Sequence, residues 1–187
     1  MFDLGALALG LNPAAESADE LAAIEGAFHT VRNFTRYIDS GGRFRGDLAS
    51  GAICAATGSS GELAQARDLA REAGTGIDIR YVIPEEGALL WVDLMVVPVD
   101  APHVDAAHQL IDYLLDPKVA ATVTNASKFA SANRDALEWI EADVRSDPVI
   151  YPPGDAYQRL TLVPAESSAY AELRTRAWVR VRTGRKQ

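Results

Sequence analysis

Apolar residues recur along this chain in three rhythms, and each predicts a different element. Helical spacing comes first. Residues 1–11 form a short apolar helix ended by Asn12-Pro13, and Ser17 to Asp19 offer an N-cap for a helix carrying Leu21, Ile24, Phe28 and Val31 on one side. Residues 34–38 read as a short extended piece broken by Gly41-Gly42, and residues 44–49 as a short amphipathic helix stopped near Gly51. Residues 52–57 are a strand candidate ended by Gly58-Ser59-Ser60-Gly61. Residues 62–72 form a helix with Leu63, Ala66 and Leu69 on one face, followed by Gly74 and Gly76. Strict alternation comes next: Ile77, Ile79, Tyr81 and Ile83 face one way and Asp78, Arg80 and Val82 the other, a half-buried strand. The third rhythm is the continuous apolar run of residues 89–97, a strand buried on both sides.

Beyond residue 98 helices dominate. Residues 103–126 carry Ala106, Leu110, Tyr113 and Leu114 as a stripe, interrupted at Asp116-Pro117. Residues 134–142 read as a further helix. Asp147-Pro148 and Tyr151-Pro152-Pro153-Gly154 mark a long surface loop, and residues 168–183 form a last helix with Tyr170, Leu173, Ala177 and Val181 on one side. The sum is an α/β chain with a helical C-terminal half, and the change of character near Pro98–Pro102 is the one lobe boundary the pattern offers.

The apolar run holds the first candidate chemistry. Trp91 and Asp93 are two residues apart, so in a strand both side chains leave the same face, an indole beside a negative charge. That pair suits an organic cation, whose ammonium meets the carboxylate while its methylenes lie on the ring. A plainer reading stays open: Trp91 is core, and Asp93 marks where the strand meets solvent.

Composition narrows the classes. With 187 residues, 48% of them hydrophobic, the chain is long enough for one domain or two small lobes with a real core. A net charge of −8 argues against nucleic acid, which requires clustered Lys and Arg. One cysteine, Cys54, excludes a disulfide framework; flanked by Ile53 and Ala55, it reads as a buried inert thiol. No stretch approaches the ~20 apolar residues of a membrane span. Residues 1–11 contain Asp3 and no basic start, so they do not read as a signal peptide: the chain is cytoplasmic, or an N-terminal part lies outside it.

Other clusters carry less. Gly58-Ser59-Ser60-Gly61-Glu62 sits at a strand-to-helix turn, where open α/β sheets place ligands, yet it has neither the glycine pattern nor the Lys of a phosphate loop, nor the spacing of a nucleophile elbow. Its plain reading is a helix capped by Ser59 or Ser60. His29, His103 and His108 lack metal-ligand spacing and read as surface residues. Arg174, Arg176, Arg180, Arg182, Arg185 and Lys186 give a basic end, a solvated helix or a docking surface. No catalytic set, metal site or cofactor motif is assignable.

Several segments together resemble a known family. Ile83-Pro84-Glu85-Glu86-Gly87-Ala88 with Trp91-Val92-Asp93 and Pro98 resembles the strand and crossover of the polyamine-binding proteins of bacterial ABC importers. Asp47-Leu48-Ala49-Ser50-Gly51-Ala52-Ile53-Cys54 is similar to their "DLANGDIC", Leu114-Leu115-Asp116-Pro117 to "YLLRP", and Phe129-Ala130-Ser131-Ala132-Asn133 to "YANAN". Asp147-Pro148 to Pro153 resembles "NPGIYPP", and Arg174-Thr175-Arg176-Ala177-Trp178 resembles "RTRAW". The segments run in the family's order, nearest to its putrescine-binding branch.

This resemblance implies a type II periplasmic-binding-protein-like fold, truncated to its C-terminal half: most of the second lobe over residues 1–97, then C-terminal elements of the first lobe over residues 98–187. It implies binding without catalysis, periplasmic location, and the membrane subunits of an importer as partners of the full-length protein. By position, Asp93 matches a carboxylate that holds an ammonium and Trp91 an aromatic wall. Glu62 stands where the family has Asp, Ser59 where putrescine binders have Trp, and Phe129 where they have Tyr. Two anionic positions persist and the aromatic box is thinned, which implies weakened or altered amine recognition. The alternative is a remnant that binds no ligand, or a scaffold that self-associates to cover exposed apolar surface.

Overall fold

The computed structural model describes residues 1–36, 42–163 and 165–184. In chain order the elements are α1 (Phe2–Ala8), α2 (Ala18–Val31), α3 (Phe44–Ala49), α4 (Ser60–Glu72), β1 (Ala88–Leu90), α5 (Val104–Leu115), α6 (Pro117–Ser127), α7 (Ala142–Arg145), α8 (Gly154–Tyr157), β2 (Leu160–Leu162) and α9 (Ser168–Thr183). Turns of 3-10 helix occupy Arg32–Phe34 and Arg134–Glu138. The described residues form two compact units. One draws on residues 1–40, 82–91 and 154–187, the other on residues 41–81 and 92–153. The units interleave along the sequence.

The first unit is built on α1, α2 and α9. Ser17 and Ser167 cap α2 and α9, each hydroxyl accepting a backbone N–H of the first turn. The amphipathic faces bury Phe2, Ala6, Leu21, Ile24, Tyr170 and Ala177. The rings of Phe2, Phe28 and Trp178 meet edge to face, with centroids 5.5 to 6.3 Å apart. Each large side chain so buried contributes about 1.5–3 kcal/mol. The basic end is not simply solvated. Arg174 donates to buried Asp3 at 2.8 Å and to Glu166 at 2.7 Å, and Arg180 grips buried Glu25 with bonds of 2.7 and 2.6 Å. His29 also departs from the surface reading, its Nε2 lying buried 3.6 Å from Glu25.

β1 and β2 pair in parallel, Ala88 opposite Leu160 and Leu90 opposite Leu162. Gly87 makes the entry possible. Its φ of +108° suits glycine, and a Cβ there would lie 2.5 Å from the Arg159 carbonyl oxygen, which accepts the Ala88 N–H.

The second unit has two apolar clusters. Phe44 and Leu48 of α3 pack on Leu63 and Ala66 of α4, with Ile53, Ile79 and Tyr81 alongside. Ala64 of α4, Ala121 of α6, Ala136, Ile140, Val144, Val149 and Ile150 make the other. The expected surface loop at residues 147–153 therefore carries core: Ile150 is buried, and Asp147 is fixed by Arg67 of α4. The helix expected over residues 134–142 is a 3-10 turn followed by α7.

The strand expectations fare differently from the helices. Residues 52–57 and 77–83 form no ladder, and of the run at 89–97 only Leu89 and Leu90 belong to a strand, β1. A strand requires a hydrogen-bonded neighbour, and none of the described residues pairs with these segments. The alternation survives without the ladder from Asp78 on, while Ile77, expected to face inward, is exposed. Ile79, Tyr81 and Ile83 are half-buried, while Asp78, Arg80 and Val82 are exposed. In residues 52–57 Ile53 and Ala56 pack on the core while Cys54 is exposed, against the buried-thiol expectation. Residues 92–96, expected to be buried on both sides, are exposed. The extended piece at 34–38 falls partly outside the described residues, and Phe34 itself ends a 3-10 turn.

Candidate ligand site

Three of the five candidate residues converge at the N-terminus of α4. Ser59 is the N-cap residue, in extended conformation. Glu62, three residues on, folds its carboxylate back: Oε2 accepts the Ser59 backbone N–H at 3.2 Å and the Ser59 hydroxyl at 2.7 Å. This is capping-box spacing, with a negative group at the positive end of the helix dipole. The plain reading of the loop as a capped helix start is thus realised, and it engages one of the two carboxylates.

Phe129 reaches the same place from α6. Lys128, just past the end of that helix, has a φ of 62° that turns the chain, and the Phe129 N–H donates to the Ser127 hydroxyl at 3.3 Å. Gln65 of α4 clamps the turn: its amide donates to the Ser127 carbonyl at 2.8 Å, while its carbonyl accepts from Arg45. The Phe129 ring then lies over Gly61, close enough that a Cβ on Gly61 would come within 2.6 to 2.8 Å of three ring atoms. Nothing in the sequence spacing pointed to Gln65 or Gly61 as the residues that seat this ring.

A second brace holds the far side of α4. The Arg67 guanidinium grips Asp147, which also accepts the Val149 N–H at 2.9 Å. Burial pushes the Asp147 carboxyl up, but the bonds from Arg67 and Val149 outweigh it and hold the group below the ordinary carboxylate range.

Trp91 and Asp93 lie elsewhere along the chain. β1 ends at Leu90, so the strand pleat that was to align them does not reach either residue. Trp91 is the last residue of the first unit and Asp93 belongs to the second. The indole is 67% exposed and is not sealed in packing. Asp93 is exposed, and its carboxylate makes no hydrogen bond or ion pair among the described residues. Of the two candidate carboxylates, Glu62 is committed to a helix cap, and Asp93 has no hydrogen-bond or ion-pair partner among the described residues.

Comparison with known proteins places this geometry in context. A family model described as bacterial extracellular solute-binding protein matches residues 1–151. The chain is 35% identical over 178 residues to the putrescine-binding periplasmic protein PotF of Escherichia coli, covering 95% of this chain and 48% of PotF. It is 32% identical over 177 residues to the putrescine-binding periplasmic protein SpuD of Pseudomonas aeruginosa, with the same shares covered. A solved structure described as a putative spermidine/putrescine ABC transporter from Listeria monocytogenes superposes with a TM-score of 0.85 at 26% identity, over 98% of this chain and 55% of that one. The chain spans about half the length of the relatives it matches.

Proposed function

Because this chain belongs to the family of bacterial extracellular solute-binding proteins, we propose that it carries part of a polyamine site and serves as the solute-binding component of an ABC importer. Its fold is the corresponding part of a type II periplasmic binding protein. The relatives are binding proteins of transport, not enzymes.

In this reading the ligand is a short diamine such as putrescine. Asp93 accepts one ammonium group. Glu62 accepts the other, sharing its oxygens with Ser59. Phe129 is an apolar wall for the methylene chain. The single observation that carries the reading is the exposed, unpartnered Asp93 carboxylate in a chain whose relatives bind putrescine. Those relatives are periplasmic, which supports the same location here and membrane subunits of an importer as partners.

Magnitudes set the affinity to expect. An exposed ion pair is worth about 0.2–1 kcal/mol and an exposed cation–π contact about 0.5–1 kcal/mol. Two ion pairs and one cation–π contact, with Phe129, amount to at most about 3 kcal/mol, so the Kd is no tighter than about 6 mM. Calorimetric titration with putrescine and with spermidine tests the reading. Saturable heat at millimolar diamine supports it, and an absence of heat in folded protein rejects it.

A further inference from the structure

The chain around Phe129 belongs to no helix or strand. α6 stops at Ser127, and residues 128–133 run on without a ladder. Side chains from other segments fix the backbone on both flanks of the ring instead. Two residues before it, the Ser127 carbonyl accepts the Gln65 amide at 2.8 Å. Two residues after it, the Ser131 N–H donates to the Tyr151 hydroxyl at 3.1 Å. Asn133 anchors the end of the segment, its amide donating to the Leu115 carbonyl at 2.6 Å.

Both flanking clamps trace back to α4. Gln65 stands four residues after Gly61, so the two share a helix face one turn apart. Gly61 receives the ring, and Gln65 holds the chain that delivers it. Arg45 fixes the sense of the Gln65 amide: its guanidinium donates to Oε1, which leaves Nε2 to donate to Ser127. Tyr151 is tied to the same helix through Asp147, whose carbonyl accepts the Tyr151 N–H at 2.8 Å and whose carboxylate is gripped by Arg67.

We infer that Gln65 and Tyr151 are positioning residues of the ligand site, which hold the Phe129 ring in place beside the first turn of α4, so that one helix sets both the Glu62 carboxylate and the aromatic wall. Neither side chain touches the ligand; each acts through Phe129. A wall ordered before the ligand arrives spares binding the entropy of ordering it. This role rests on the diamine reading for the identity of the ligand alone, since every contact that defines it lies within the second unit.

The test combines proton NMR with putrescine titration. The Phe129 ring lies against Gly61, so its ring current displaces the Gly61 α-proton resonances, and Phe129→Leu gives their position without it. Gln65→Met keeps side-chain length and helix propensity while removing the donor, and is expected to move those resonances toward the Phe129→Leu position. Tyr151→Phe deletes one oxygen and is expected to do the same from the other flank, with α4 unaltered. In titrations, Gln65→Met is expected to weaken putrescine binding about 2- to 5-fold, the worth of an exposed cation–π contact, and to add nothing in the Phe129→Leu background. Gly61 resonances that stay in place in both variants overturn the role. So does a weakening as large without the ring as with it, the mark of a residue that acts on the fold alone. Absence of putrescine heat in the parent protein rejects the diamine reading instead, and the Gly61 resonances then decide the positioning by themselves.

Discussion

The Ser59 hydroxyl donates to the Glu62 carboxylate at 2.7 Å, so two residues read from the sequence as ligand contacts are first of all each other's partners. Their contact starts α4, and α4 in turn presents Gly61 to the Phe129 ring. Any ammonium that uses Glu62 competes with a hydroxyl and a backbone N–H already in place.

Removing the carboxylate therefore has a structural consequence before a functional one. Glu62→Ala is predicted to destabilise the second unit by about 1 kcal/mol, the usual worth of a cap contact. Urea unfolding with amide exchange over α4 measures it. Glu62→Gln keeps an acceptor for Ser59 and is predicted to recover most of the loss.

Gly61 is where the aromatic wall meets backbone. Gly61→Ala places a methyl group within 2.8 Å of the Phe129 ring and is predicted to cost about 1–3 kcal/mol by overpacking. Phe129→Leu in the same chain relieves the clash. A double-mutant cycle by thermal unfolding is predicted to show a coupling of at least ~0.5 kcal/mol, as residues in contact do.

Gly87→Ala tests the β1–β2 junction in the first unit. The substitution forces a Cβ toward the Arg159 oxygen at a φ of +108° and is predicted to cost about 3 kcal/mol through clash and backbone strain together. Exchange of the Ala88 and Leu90 amides is predicted to accelerate while α4 is unaffected.

Acid is predicted to weaken both units through identified carboxyls. The hydrogen bonds from Arg180 hold Glu25 below its ordinary range against the effect of burial, and the Arg67 and Val149 bonds do the same for Asp147. A carboxyl depressed in the folded state binds its proton more readily when unfolded. Its contribution is full above the unfolded value of about 4 and is lost as pH falls through the folded one. Glu25→Gln is predicted to flatten the acid limb of the first unit's stability between about pH 5 and 2, and Asp147→Asn that of the second. Melting temperature followed across that range checks both.

The helices were legible because their signals are local. Ser17, Asp116-Pro117 and Ser167-Ser168 mark ends at which the structure starts or breaks α2, α6 and α9. The strands were not, because a strand is specified by its neighbour. Residues 78–83 keep their alternation of exposed and half-buried positions yet form no ladder, and residues 94–96 are apolar without being covered. At the site, Ser59-x-x-Glu62 announces a capping box, a signal that was present in the sequence as spacing. The seat of Phe129 was not, since it depends on Gln65 meeting Ser127 62 positions away. Cys54 and His29 exchange their expected environments because one lies on the outward turn of a segment whose Ile53 faces the core, and the other on the inward turn of α2 beside Glu25.

The most direct test of diamine recognition is a pair of putrescine titrations, one on the protein as it stands and one on Asp93→Asn, whose exposed side chain makes the change without disturbing the fold. A Kd no tighter than about 6 mM is predicted for the first, and for the second a loss of about 1.4- to 5-fold, the worth of one exposed ion pair. Equal affinity in the two proteins, or no binding by folded protein at tens of millimolar putrescine, contradicts the role given to Asp93.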